Sequence, residues 1–210
     1  MSAPLDPATV SAQPLQLLER WLAEAAEAGL PSPESVAFVT VGQQGRPTAR
    51  TVSLKRLSGG ALLFTSALWT RKARELEINP NVALLFHWPS LGRQVHVAGE
   101  AGFAERELSE QLFAERHPAH RMQTVVSRQG EPIDDLAPLR ERLAHLCEAM
   151  EAPPACPPDW GAIRVRPLAV EFWLQAEDRL HDRLLYTRVG EDGEDGDGET
   201  ARWSLTRLSP

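Results

Sequence analysis

Cysteine is almost missing from this chain: Cys147 and Cys156 are the two among 210 residues. Two thiols are too few for a disulfide scaffold, and they lack the spacing of a zinc site. Reduced thiols in a cytoplasmic protein are expected, with no bound metal. Basic charge is also in short supply. Lys and Arg number 22 against 29 Asp and Glu, a formal net charge of −7. A general nucleic-acid binder needs the opposite balance, because phosphates must be neutralised. No apolar run approaches the ~20 residues of a membrane span. The opening MSAPLDPATV has neither a basic n-region nor an apolar h-region, so no signal peptide is expected. Glycine loops of the GxGxxG or Walker type are missing, which argues against a Rossmann or P-loop nucleotide site. No nucleophile elbow or carboxylate pair for hydrolysis stands out.

What is present suits an ordinary globular protein, 42% hydrophobic and 24% charged, long enough to bury one core. Residues 1–13 are rich in Pro and Ala, and disorder is expected there. Leu15, Leu18, Leu22 and Ala25 recur at helical spacing, Trp21 widens the stripe, and Gly29 and Pro31 end it, so a helix is expected over 15–28. Strands are expected over 35–41, 48–57, 61–66, 82–88 and 94–103, the first two as a hairpin around residues 42–47. Helices are expected over 70–78 and 106–116. Leu136, Leu139, Leu143, Leu146 and Met150 mark a further amphipathic helix, read as core packing because the pattern is too brief for a coiled coil. Strands over 163–165, 170–174, 181–188 and 202–208 complete the chain. Residues 190–200, rich in Gly, Asp and Glu, lack EF-hand spacing and read as a solvated hairpin tip. Many strands with a few inserted helices predict one α+β, mainly β, barrel domain over 14–210.

Chemistry concentrates in four places. In Arg179-Leu180-His181-Asp182-Arg183, a β-strand would point Arg179, His181 and Arg183 to one face. Such groups repel unless something anionic or electron-rich faces them, for example a flavin ring or a phosphorylated substrate. A solvated edge strand accounts for the spacing equally well. Thr70-Arg71-Lys72 opens a helix, with Thr70 placed to cap it and two cations beside free N–H groups, an arrangement that favours phosphate. Arg50-Thr51-Val52-Ser53-Leu54-Lys55 is a strand with basic ends, able to line an anion site or to snorkel into solvent. His117 and His120 lie in HPAHRM, read as a loop, without a third metal ligand nearby.

Together these segments resemble the pyridoxine (pyridoxamine) 5′-phosphate oxidase family. The resemblance rests on RTVSLK (50–55), TRKA (70–73), RQV (93–95), SRQ (127–129), EFW (171–173), RLHDR (179–183) and the terminal RLSP, in the family's order. It implies an FMN-binding split β-barrel, a homodimer with FMN at the subunit interface. It implies that Arg50 to Lys55 run along the FMN, that Phe64 and Thr65 stand beside it, and that Arg71 and Lys72, next to Thr70, grip its phosphate. Gln94, Gln129 and the adjacent Gly130 would meet the flavin or its chain, and Trp173 and Arg183 the ring, from the partner subunit. Arg179 and His181 would be catalytic and contact the substrate. Lys55, Phe113, His117 and His120 occupy the family's substrate-phosphate positions, where Phe113 replaces a Tyr and His117 an Arg. The family's N-terminal Arg-Arg-Glu-Tyr lid segment has no counterpart. The implied reaction is hydride transfer from a small-molecule substrate to flavin N5, with O2 as acceptor giving H2O2. The altered phosphate positions also resemble the family's phenazine-biosynthesis branch, whose substrate is a reduced aromatic heterocycle. A non-catalytic flavin-binding protein is the remaining alternative.

Overall fold

The structure is a computed structural model that describes residues 5–150, 152–190 and 201–210. Among the described residues, nine antiparallel strands form one curled sheet, with five α-helices packed around it. Helix α1 (Pro14–Glu27) begins with Pro at its first turn and buries Leu17, Leu18, Trp21 and Ala25 on one face, as the helical spacing predicts. Strands β1 (Ser35–Val41) and β2 (Pro47–Ser53) form the expected hairpin, Val36 opposite Val52 and Phe38 opposite Arg50. The expected strand over 48–57 divides in two. Leu54 turns into the core, Lys55 N–H donates to Leu63 O, and β3 (Arg56–Ser58) pairs with β4 (Ala61–Ala67) instead of β1.

Helix α2 (Arg71–Ile78) leads to β5 (Asn81–Trp88) and β6 (Arg93–Phe103). Helices α3 (Arg106–Ala114), α4 (Pro118–Val126) and α5 (Ala137–Ala149) follow. HPAHRM is thus the start of a helix, not a loop. His117 takes the N-cap position, its Nδ1 accepting from the Ala119 N–H, and Pro118 fills the first helical position, where a missing N–H does no harm. The core-packing reading of the 136–150 helix is corrected too. None of the α5 residues is buried, and the flanking Leu136 and Met150 are exposed.

The two strands expected over 163–174 are one, β7 (Trp160–Leu174). Residues 163–174 pair with β6, while the other edge is shared: β4 takes 160–165 and β8 (Asp182–Val189) takes 169–174. That division splits the barrel. Pro167, which has no N–H for a ladder, falls in the gap between those two partners, beside a register shift at Ala98/Gly99. Gly99 is required there, since a Cβ on it would lie 2.3 Å from Arg166 O. Strand β9 (Arg202–Arg207) closes against β8.

The main core joins the inner faces of the strands to α1, with Trp21 edge-on to Phe172 at 5.2 Å and Phe38 edge-on to Phe64 at 5.3 Å. A smaller core of Leu63, Ala67, Leu112, Phe113, Trp160 and Ala162 seats α3 on β4 and β7. The expected disorder over 1–13 is corrected for residues 5–13. Leu5 is 4% exposed, its N–H donates to Asp182, and Tyr186 Oη donates to Ser11 O at 2.7 Å. Most of the expected 190–200 tip lies outside the described residues. No helix among the described residues is long and apolar enough to cross a membrane.

Candidate functional site

A cavity of about 610 Å3 opens where β2, β4, α2 and the α3–α4 corner meet. The period-2 pleat of β2 turns Thr48 and Arg50 toward Glu75 and leaves the exposed Thr51 and half-buried Ser53 at the cavity, with Val52 at its edge. Lys55, beyond the strand, and Thr65 of β4 join them. Helix α2 contributes Lys72. Leu112, Glu115, Arg116, His117 and His120 line the opposite side, with Gln129.

Lys72 is the electrostatic centre of this wall. It is 8% exposed, and the hydrogen-bond partner of its ammonium is a neutral hydroxyl, Thr70 Oγ1 at 3.3 Å. Burial, and then the charge of Arg50, hold its pKa down to about 8. Thr70 stands at the N-cap of α2 but does not cap it, contrary to expectation. Its hydroxyl donates to Ala67 O at 2.8 Å and faces Ser66 Oγ at 3.0 Å. A buried ammonium without a carboxylate, beside a helix start without a side-chain cap, is what a phosphate would complete. The residues present therefore fit the phosphate end of the FMN that the sequence implies.

Arg50 and Arg71 do not face the cavity. Both turn to Glu75, a buried carboxylate that the sequence reading missed although its i,i+4 spacing from Arg71 is a legible signal. Glu75 accepts from Arg71 Nε at 2.7 Å, from Thr40 Oγ1 at 2.5 Å, from Thr48 Oγ1 at 2.6 Å and from Arg50 at 3.4 Å. Burial alone would raise its pKa, but these donors outweigh it and hold the carboxyl near 2.

Arg116 was also missed as a lining residue, although Leu112 and Arg116 lie one helical turn apart. Its guanidinium donates to Thr124 Oγ1 at 2.6 Å and lies over the rings of Phe113 and Trp160. Burial lowers its pKa. The His117 and His120 rings stand 5.7 Å apart at the cavity wall. Three expected site residues are buried in cores instead. Phe113, expected at the substrate, is 1% exposed and edge-on to Trp160 at 4.8 Å. Phe64, expected beside the cofactor, is 1% exposed in the main core, and so is Leu54 at 7%. Gly130 lies in an exposed turn with φ +88°.

The remaining expected residues gather elsewhere, on the outer face of β6, β7 and β8. Gln94 is opposite Trp173, and Trp173 is opposite Arg183. Arg183 Nε donates to Glu171 at 2.8 Å. The single-strand reading of Arg179, His181 and Arg183 is corrected: β8 starts at Asp182, and Arg179 sits in the preceding turn with φ +65°. His181 Nδ1 accepts from the Ala176 N–H at 3.1 Å, which places the proton of a neutral imidazole on Nε2. Its ring packs 4.7 Å from Trp173. None of Gln94, Trp173, Arg179, His181 and Arg183 lines the Lys72 cavity. The expected site residues thus fall into two separate halves.

Comparison with known proteins bears on both halves. Residues 22–146 match the family model described as pyridoxamine 5′-phosphate oxidase, and residues 160–210 match the pyridoxine 5′-phosphate oxidase C-terminal dimerisation region. A pyridoxine/pyridoxamine 5′-phosphate oxidase of Rubrobacter xylanophilus is 43% identical over 198 residues, covering 94% of this chain and 87% of its own. One from Burkholderia ambifaria is 39% identical over 208 residues, covering 99% and 94%. Among solved structures, PhzG from Burkholderia lata in complex with tetrahydrophenazine-1-carboxylic acid superposes with a TM-score of 0.85 at 29% identity, covering 98% of each chain. A pyridoxamine 5′-phosphate oxidase-related, FMN-binding protein of Nostoc punctiforme shares the fold, with a TM-score of 0.74 at 18% identity over 96% of this chain and all of its own.

Proposed function

The chain belongs to the pyridoxine/pyridoxamine 5′-phosphate oxidase family, and from that premise we propose that this FMN-dependent oxidoreductase oxidises a vitamin B6 5′-phosphate. The single observation that carries the reading is Lys72, a buried cation whose hydrogen-bond partner is a neutral hydroxyl, at the wall of a cavity large enough for a ligand. FMN supplies the hydride acceptor, with O2 as the final acceptor, giving H2O2. The protein's part is to bind and orient. Lys72 and the open start of α2 hold the cofactor phosphate. Thr51, Ser53, Thr65 and Gln129 line the adjoining wall. A second copy of the chain brings Trp173 and Arg183 to the ring, so that FMN lies at the homodimer interface and residues 14–210 act as one domain.

On the substrate side, Lys55, Arg116, His117 and His120 offer cationic or hydrogen-bonding groups to an anionic substituent. Arg116 takes the part of the arginine that His117 displaces by one position. His181, with Nδ1 engaged by the backbone, presents Nε2, and Arg179 is exposed beside it. A second reading, oxidation of a reduced aromatic heterocycle bearing a carboxylate, is supported by the 29% identical PhzG structure and by Phe113, which offers no phenol where the family has a Tyr.

Purified protein assayed with pyridoxine and pyridoxamine 5′-phosphates under O2 is expected to form pyridoxal 5′-phosphate and H2O2. Turnover of a dihydrophenazine carboxylate with none of either B6 phosphate favours the second reading. A flavin that stays oxidised anaerobically with every substrate leaves a binding protein.

A further inference from the structure

On the outer sheet face, Glu171 and Arg183 occupy neighbouring strands, two residues out of register and so on the same face, and meet at 2.8 Å. The pair is half-buried, Arg183 at 32% and Glu171 at 18% side-chain exposure. Arg183 has a second tether, since its Nη1 donates to Ser209 O at 3.3 Å near the end of the chain. The carboxylate adjacent in sequence is committed elsewhere. Asp182 accepts from Arg207 and from the Leu5 N–H. Glu171 is therefore the counter-charge of Arg183, and its hydrogen bond and charge together raise the guanidinium pKa. Trp173 stands directly opposite Arg183 on β7, with Gln94 beyond it on β6. The ladder fixes the order of these side chains, so a ligand against Trp173 meets Arg183 together with its carboxylate.

We infer that Glu171 is a positioning residue that sets how much positive charge Arg183 presents to the flavin. This rests on the reading that Arg183 faces FMN. The physical consequence has a definite sign. A cation beside a flavin stabilises the electron-rich reduced form, and a carboxylate paired with that cation offsets part of the effect. Removing the negative charge while keeping the hydrogen-bond geometry leaves Arg183 less compensated, and the flavin becomes easier to reduce.

The test uses the FMN-loaded homodimer and measures the midpoint potential of the bound flavin. Glu171→Gln, an isosteric change that retains an acceptor for Arg183 Nε, is expected to move the potential in the positive direction. Glu171→Asp, which keeps the charge, is expected to return it toward the wild-type value. In an Arg183→Met background, Glu171→Gln is expected to have little further effect, because the cation through which it acts has gone. Circular dichroism and the absorbance ratio of bound flavin to protein establish that each variant is folded and loaded. A potential unchanged in Glu171→Gln overturns the inference, and so does a shift of equal size in the Arg183→Met background. Wild-type protein that retains no FMN refutes the underlying reading instead, a result distinguishable from either.

Discussion

Lys72 allows a test of cofactor recognition that needs no turnover. In the folded chain its pKa lies at about 8 against an ordinary 10.5, because burial and then Arg50 penalise its charge. That gap corresponds to about 3 kcal/mol stored against folding when the group is protonated. The sign follows from linkage. The unfolded chain holds this proton more tightly, so the stability of the FMN-free protein should rise as pH climbs from about 8 toward 10.5. A phosphate beside the ammonium removes the penalty and restores the proton. Above pH ~8, FMN binding must therefore take up a proton, and affinity should fall by about tenfold per pH unit, roughly 30-fold by pH ~9.5. Quenching of flavin fluorescence on binding measures this directly. Riboflavin, which lacks the phosphate, should bind with a flat profile over the same range. Lys72→Met should bind FMN about 10- to 100-fold more weakly at neutral pH, the worth of one charged hydrogen bond, and should lose the pH dependence. Parallel profiles for FMN and riboflavin, or for wild type and Lys72→Met, would refute the assignment of Lys72 to the phosphate.

Two further outcomes concern the scaffold. Glu75 has a folded pKa near 2 against 4.5, so its contribution is present above about pH 4.5 and is lost as pH falls toward 2. Water reaching the exposed side of Arg71 screens part of it, leaving about 2 kcal/mol. Urea unfolding of Glu75→Gln should show that deficit at pH ~7 and less than half of it at pH ~3, and a constant deficit would contradict the account. Gly99→Ala should lower stability by about 2 kcal/mol or more, since its Cβ would meet Arg166 O at 2.3 Å. Gly102→Ala on the same strand, with nothing within 4 Å, is the control in a thermal melt.

The legible parts of this fold are those governed by local period. The β-rich run of β1 and the Leu15–Leu18–Leu22–Ala25 spacing of α1, with Trp21, settle each element within a residue or so, because one face of each packs on its own chain. Failures occur where the choice of pairing partner, not local period, decides the outcome. Nothing in Thr48–Leu57 announces that β3 leaves β1 for β4, and nothing around Pro167 announces that β7 runs on while its neighbour changes. The 136–150 pattern misleads for a different reason: periodicity reports an apolar face, not what covers it. Residue type likewise misleads at Phe64 and Phe113, whose family positions suggest a site while their packing puts them in cores. Lys72 is legible because charge at a helix start is local information, and His117 and His120 through the family resemblance, whereas Thr40 and Thr48, which meet Glu75, are brought to it only by the folded chain.

Charge pairing separates scaffold from recognition in this protein. Arg50 and Arg71 meet Glu75, Arg93 meets Glu24, Arg106 meets Glu110, and Arg183 meets Glu171. Such cations are already compensated, and an incoming anion would have to displace a carboxylate or share its donor. Lys72 and Arg116 differ. Lys72 is buried and Arg116 half-buried, each donates to a threonine hydroxyl, and both line the same cavity. Desolvation has therefore been imposed on these two without the Coulomb energy that normally offsets it. An anionic ligand recovers that energy without breaking an existing pair, so two separate cations imply two anionic groups, one at the start of α2 and one at the α3–α4 corner. A phosphorylated cofactor with a phosphorylated or carboxylated substrate meets that requirement. A neutral substrate leaves Arg116 uncompensated, and Arg116→Met should then leave its KM unchanged while raising the KM of an anionic substrate about tenfold or more.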